Sequence, residues 1–552
     1  MWARDPIHDK ATCVNVGIEP QDYPTCHRSL AIGRVVGNSF WSLAGWTGAL
    51  LLGFVISPIQ IHLLGETHYG LMALLSSIIA PMILLDFGIG EATVKYVAES
   101  LGAGDYSRVE KYIRNTLAFN LIVGILGALL IGLLANTLAT HVFNIPPESR
   151  TLARQCLYWI GATWLIGQTR QSFIGAVTAL QRYDLLNIGT LFTQTLIAVV
   201  GVGVLALGGG LLEFTQVQAV AGALASLGWL IVARRLFPTL RFTPTIDRGA
   251  FRQTFGYGFW QMLGHMGGIL AGQSQRWLLG VLLPVATIGF YSIGLQLNAV
   301  VYMIAYRVGQ VLFPAVSQLQ GQGQGERAAR LSLQASWMVS SLAIAGFVPV
   351  AVFAPDVLSL WISPSFAAQA ASVTRILSLA TAVGAMFAVP SFYLLGTGRV
   401  KWLTALASTQ GLISLAGAAV LIPWLGINGA GWGYALGTLA HLAVLGLMWP
   451  KIFRRWISGR AYYAAVFGQL IAGLILAVAL MYLRGAFLPP AVNWFWLVFG
   501  CAVSAVVSFL IIVVVDGLLP GGTGRRVLLR RFVAHIGKRI LCFQRTRVVV
   551  TQ

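Results

Sequence analysis

Two arginines, Arg276 and Arg307, stand inside long apolar stretches of this chain. An arginine at the centre of a membrane helix costs about 2.5–3.5 kcal/mol on insertion scales, so such a residue is a functional-site candidate by default. A guanidinium presents two parallel N–H donors that match the oxygens of a phosphate. The stretch holding Arg276 also carries Gln261, His265, Gln273, Ser274 and Gln275, and the stretch holding Arg307 carries Gln296 and Asn298. These groups outline an anion site whose amides bind hydroxyls. A second reading stays open: each arginine snorkels to the nearer interface or pairs with an acid. Arg307 lies nearer the inner end of its stretch, Arg170 reads as an interfacial anchor, and Arg375 reads as a snorkelling residue.

The acids are fewer. Asp86 and Glu91 are candidates for binding a coupling cation or proton, although Glu91 and Lys95 also have the i, i+4 spacing of an ordinary helix ion pair. His265 and His441 have no metal partner at ligand spacing. None of Cys13, Cys26, Cys156, Cys501 and Cys542 has zinc-ligand spacing. No G-x-S-x-G elbow, H-E-x-x-H helix or G-x4-G-K-[ST] loop occurs. No enzyme and no cofactor are expected, and energy would come from a gradient or from substrate consumption, not from bound ATP.

Those residues must be positioned by membrane helices. The 552 residues are 57% hydrophobic and 10% charged, where a soluble domain carries roughly 25% charged residues. Runs of about 20 apolar residues, the length that spans a bilayer, recur along the chain. They predict spans near 37–60, 68–92, 115–142, 151–176, 185–207, 215–233, 254–281, 288–314, 333–354, 371–395, 403–422, 428–449, 464–483 and 494–516. The fold class is therefore an all-α polytopic membrane protein with about fourteen transmembrane helices. The net charge of +20 is a topology signal, because Lys and Arg collect in alternate short loops. That pattern places both termini inside. No basic and aromatic interleaving suits a nucleic-acid strand. The outside loops are short, the longest near 355–370.

A repeat runs at a fixed offset of 219 residues (Gly256 against Gly37). Phe40-Trp41 matches Phe259-Trp260, Gly70 matches Gly289, Gly90 matches Gly309, and Gly102, Gly104 and Arg108 match Gly321, Gly323 and Arg327. Six spans separate the copies, so both have one orientation, related by an axis along the membrane normal. The counterpart of Arg276 is Ser57, which puts the positive charge in one half only. Small residues every four positions form stripes at Gly45, Ala49 and Gly53, at Gly264, Gly268 and Gly272, and at Gly429, Gly433 and Gly437. Such stripes let helices approach closely. Pro58, Pro81, Pro349 and Pro390 predict kinks.

The run His62-Leu-Leu-Gly-Glu-Thr-His-Tyr-Gly-Leu71, followed by Leu84-Leu-Asp-Phe-Gly-Ile-Gly90, resembles the first hairpin of a transporter family. That family is the polysaccharide-transporter branch of the multidrug/oligosaccharidyl-lipid/polysaccharide exporter superfamily, which holds the Wzx-type flippases. Leu180-Gln-Arg-Tyr-Asp184, Leu394-Leu-Gly-Thr-Gly-Arg399 and Leu425-Gly-Ile-Asn-Gly-Ala-Gly431 extend the similarity to about residues 33–480. The resemblance implies two six-helix lobes plus two C-terminal helices, with a central cavity between the lobes. The expected ranges are a tail at 1–34, lobes at 35–235 and 253–450, a basic linker at 236–252, added helices at 451–516 and a basic tail at 517–552. It implies a flippase in the bacterial inner membrane, with a lipid-linked oligosaccharide on undecaprenyl pyrophosphate as substrate. The expected partners are membrane lipids and polysaccharide biosynthesis enzymes, and the expected state is a monomer. A cation-coupled drug antiporter remains the alternative, although the first span lacks the acid that branch buries. A membrane polymerase or ligase would need a long catalytic outside loop. Residues Arg525 to Phe543 have the pattern of an interfacial helix on an anionic leaflet.

Overall fold

The computed structural model describes residues 32–180, 182–238, 240–452 and 493–518, together with 471, 473, 475–482 and 484. Most of the two tails, the Arg525–Phe543 segment and half of the span predicted at 464–483 lie outside the described residues. Among the described residues every regular element is helical. This follows from the apolar runs: in lipid, each backbone N–H must find its partner within its own segment.

The order is α1 (Ile32–Ser77), α2 (Ile79–Met82), α3 (Ile89–Gly102), α4 (Tyr106–Thr137), α5 (Arg150–Ala179), α6 (Tyr183–Ala206), α7 (Leu211–Leu236), α8 (Arg248–Leu282), α9 (Ala286–Gly321), α10 (Gly325–Trp361), α11 (Pro364–Ala385), α12 (Ala388–Gly396), α13 (Val400–Leu425), α14 (Ile427–Ile452) and α15 (Trp494–Leu518). Ten stretches among the described residues are long and apolar enough to cross a membrane, and Thr47–Asp86 holds two predicted spans across the break at Gly65. The long helices α5 and α8 fall short because they carry polar side chains, among them Arg170 in α5 and Gln273 and Arg276 in α8.

The repeat is visible in geometry. Gly104 and Gly323 both take φ +71°, a left-handed turn that suits a residue without Cβ. The bonds around them match: Asp105 N–H to Ser100 O at 3.0 Å, and Gln324 N–H to Leu319 O at 2.9 Å. These are the paired ends of α3 and α9. Gly70 and Gly289 face each other, the Cβ position of Gly289 lying 3.4 Å from Gly70 Cα. Repeat-related residues meet in this way where a two-fold axis passes between two helices. One feature is not repeated. The second span breaks after the 3-10 turn Ile83–Asp86, because Phe87 (φ 47°) and Gly88 (φ 63°) are left-handed. Arg307, the counterpart of Gly88, lies within continuous helix. Lys95, expected in a loop, therefore lies on α3.

Three other expectations need correction. The Gly264/268/272 stripe is not a packing seam in its described part, because nothing lies within 4 Å of the Cβ positions of Gly268 and Gly272. Gly267 instead meets the Ala407–Ser408 backbone of α13, as Gly48 meets Leu191 of α6. The outside loop near 355–370 is mostly helix, with α10 running to Trp361 and α11 starting at Pro364. Arg375, read only as a snorkelling residue, is also held near its base, where its Nε–H donates to Ala351 O at 3.2 Å. By contrast, Gly433 and Gly437 of α14 close directly on Ala418 and Ser414 of α13.

The prolines explain several long-range contacts. A proline lacks the N–H that would bond the carbonyl four residues earlier. Pro58 thus frees Phe54 O, which accepts the Trp361 indole N–H at 2.8 Å while the two rings stack at 4.2 Å. Pro81 frees Ser77 O, which accepts the Trp277 indole N–H at 3.3 Å. Pro355 frees Ala351 O, the acceptor for Arg375. Beside it, Val352 O accepts from Arg484, which also pairs with the buried Asp356 at 2.5 Å. Pro390 marks a break as well: the predicted span is interrupted at Met386 and Phe387, one turn before it, and Pro390 is the third residue of the restarted helix α12, as Pro81 is of α2.

Candidate functional site

The halves meet along α1, α8 and α9. Near the end that the charge pattern places outside, Asn144 N–H donates to Gly280 O at 2.7 Å, and Leu74 and Phe143 close on Gly280. Deeper in, Ser57 Oγ of α1 donates to Gln296 Oε1 of α9 at 2.9 Å. At the other end of α8, Phe251 and Phe255 pack with Phe119 and Phe87, reaching into the first half.

Arg276 lies within this seam. Its Nε–H donates to Ser292 Oγ at 3.1 Å and its Nη1 to Gln273 Oε1 at 2.7 Å. The Tyr69 phenol lies beside Ser57 in the same neighbourhood. Ser292 and Gln273 hold the guanidinium, and among the described residues no carboxylate pairs with it. Of its five N–H donors, two are used in these bonds, leaving one on Nη1 and two on Nη2 without a partner among the described residues. The Nη1–Nη2 edge can fork onto two anionic oxygens. The open Gly268–Gly272 strip lies on the same helix face, one and two turns before Arg276.

The other sequence candidates divide. Gln273 and Gln296 belong to the Arg276 neighbourhood, as direct partner and as partner of Ser57. Asn298 does not, being fully buried with its amide donating to Gly294 O at 2.8 Å. Arg307 is fifteen residues beyond Ser292, roughly 22 Å along α9, and donates to Gln310. One site therefore cannot contain both arginines. The side chains of Gln261, His265 and Glu91 lie outside the described residues, and Asp86 sits at the α3 break. Sequence reasoning missed Ser292 and Tyr69. Their signal was present, since Ser292 stands one helical turn before Gln296 and Tyr69 lies in the matched Gly70 region.

A hollow of about 300 Å³ lies between α1 and α6, lined by Ala49, Gly53, Ile56, Gln194 and Ala198. It adjoins the seam at Gly53, whose Cβ position is 3.2 Å from Gln296 Nε2.

The comparisons with known proteins agree on the architecture. An uncharacterized membrane protein of Methanocaldococcus jannaschii is 24% identical over 237 residues, which is 42% of this chain and 44% of that protein. The chain thus matches less than half the length of this curated relative. The structure of the lipid II flippase MurJ, in an inward closed conformation, matches 89% of this chain and 99% of its own, with TM-score 0.66 and 12% identity. An inward-facing MATE family transporter of the MOP superfamily matches 79% of this chain and 95% of its own, with TM-score 0.59 and 16% identity. At such identities these likenesses establish the fold alone. The family described as polysaccharide biosynthesis protein matches residues 35–320, more than half of the chain, and the chain belongs to that family.

Proposed function

We propose that this protein is a flippase that exports a lipid-linked oligosaccharide, carried on undecaprenyl pyrophosphate, across the bacterial inner membrane by alternating access of its two halves. The observation that carries this reading is the Arg276 guanidinium, held by neutral partners with one donor edge open at the seam. A pyrophosphate entering a low-dielectric seam needs a fixed cation to offset its desolvation. An organic cation would need an acid at that place, so the polarity favours an anionic headgroup over a cationic drug. The open glycines at 268 and 272 leave room for a bulky group beside the α8 backbone. Because the charge sits in the second half, the headgroup stays with that half while the sugar occupies the seam.

The test is polysaccharide export by cells carrying single variants, with insertion level measured in parallel. Arg276→Ala abolishes export at normal insertion, and Arg276→Lys restores it partly, because an ammonium keeps the charge and loses the fork. Gly272→Ala, whose Cβ meets no described atom within 4 Å, is expected to leave insertion unchanged, and Gly272→Leu, which reaches further into that space, is expected to reduce export. Normal export by a well-inserted Arg276→Ala variant removes Arg276 from the mechanism.

A further inference from the structure

On the flank of the second half, α11 carries a polar face that the seam does not use. Ser365, Gln369 and Ser372 are exposed, and Arg375 is half-buried. Spaced by three or four residues, they share one side of the helix. Beyond Arg375 the same side continues with the half-buried Leu379 and Val383. The face is therefore polar at the end that the charge pattern places outside and apolar toward the middle of the span, with a guanidinium at the change. It lies off the seam. The neighbouring Thr374 meets Gly294 of α9, and Val373 and Ile376 meet Gly431 of α14.

Arg375 is fixed from α10. Its Nε–H is bonded to Ala351 O, the carbonyl freed by Pro355. Its two Nη atoms have no hydrogen-bond partner among the described residues. Val352 O, the next carbonyl of α10, accepts from Arg484, which also pairs with Asp356. In the sequence, Asp356 is the only acid between Glu326 and Asp516. Two arginines thus anchor on consecutive carbonyls, and the one carboxylate of this region is engaged by Arg484. The charge of Arg375 is left over.

A cation without a counter-charge is costly within a span. A phosphodiester supplies that charge and offers two oxygens to the Nη1–Nη2 edge. The hydroxyl and carboxamide groups on the outer side of Arg375 suit a headgroup bearing hydroxyls, and the apolar residues on its inner side suit a hydrocarbon chain. Headgroup outward, phosphate next and chain inward is the order of a lipid in the outer leaflet. A free anion would use the arginine and neither flank.

We propose that Arg375, with Gln369 and Ser372 above it and Leu379 below it, binds an anionic phospholipid of the outer leaflet. The site is independent of Arg276 and of what the protein exports. The bound lipid extends the contact between α10 and α11 that Arg375 makes with its Nε–H.

The experiment uses the full-length protein, purified in detergent and stripped of native lipid. Phosphatidylglycerol, diacylglycerol with the same chains and no phosphate, and glycerol phosphate with no chains are added separately. The readouts are thermal unfolding and the number of lipids retained in native mass spectrometry. Phosphatidylglycerol is expected to be retained and to raise the melting temperature, and the other two are not. Basic residues at the inner helix ends also attract this lipid, so the variants decide. Arg375→Met keeps a long side chain, removes the cation, and is expected to weaken binding of one phosphatidylglycerol by about tenfold. Gln369→Leu combined with Ser372→Ala changes exposed positions only. It is expected to weaken that binding severalfold while leaving the lipid-free melting temperature unchanged. Wild-type lipid retention by a folded Arg375→Met variant overturns the proposal. So does a thermal shift with glycerol phosphate equal to that with phosphatidylglycerol, which is the mark of an anion site without a lipid. Should Arg375→Met fail to fold, unchanged phosphatidylglycerol binding by the double variant overturns it instead.

Discussion

Trp361→Phe tests whether the prolines of the first half are coupled to the second half. Pro58 leaves Phe54 O without its helical donor, and the Trp361 indole supplies one from α10 at 2.8 Å. Phenylalanine keeps the ring stacked on Phe54 and loses the N–H, so a buried carbonyl is stranded at a cost of about 1–3 kcal/mol. If opening the seam lets water reach that carbonyl, the cost falls on the closed arrangement alone. The closed-to-open ratio then drops by roughly 5–150-fold. The assay is crosslinking, by a short bifunctional thiol reagent, of cysteines introduced at the exposed Asn144 and Val281, beside the Asn144–Gly280 backbone bond of 2.7 Å that closes the outer end. Crosslinking is expected to fall in Trp361→Phe. Pro58→Ala restores an N–H for Phe54 O, so in that background Trp361→Phe is expected to change crosslinking several-fold less. An equal effect of Trp361→Phe in both backgrounds refutes the proline-to-tryptophan coupling.

The buried pair of Arg484 and Asp356 anchors the chain beyond α14 to α10. Arg484→Met strands a buried acid and is expected to cost about 3–5 kcal/mol, seen as a lowered melting temperature, while adding Asp356→Leu recovers most of the loss. Gly104→Ala and Gly323→Ala place a Cβ at the same φ of +71° and are expected to destabilise equally, by about 1–2 kcal/mol each; clearly unequal melting shifts would deny that the two turns are equivalent. Reporter fusions after Arg182 and Arg252 are expected to read inside, and fusions near Asn144 and Gly209 outside; the reverse pattern would invert the orientation used for the seam.

The predicted site was legible in part. A polar, arginine-bearing span among apolar ones pointed to α8, and Gln273 and Gln296 do lie around Arg276. Arg307 was grouped with it because both are membrane arginines. The sequence already placed Arg307 nearer the inner end of its stretch, and the contact between Arg276 and Ser292 sets the register that puts it about four turns away along α9. Asn298 was misjudged for a related reason. Two residues beyond Gln296 on a helix is a rotation of about 200°, which turns the side chain away from the Ser292 face.

The helical class and the repeat were decided by the sequence alone. Apolar runs of membrane length leave the backbone no alternative to helix, and glycines at one offset recur in turns of the same geometry. The sequence also announced which backbone carbonyls would be orphaned, since each internal proline marks one four residues earlier. Only the tertiary structure decided what satisfies them: Trp361 for Phe54, Trp277 for Ser77 and Arg375 for Ala351. The asymmetry between the halves is likewise tertiary. Phe87 and Gly88 break one helix where Arg307 continues its counterpart, because a lone glycine is tolerated in a helix and bends it only when packing holds the left-handed form. Local pattern specifies where a helix is weak, and the partners packed around it determine whether that weakness becomes a site.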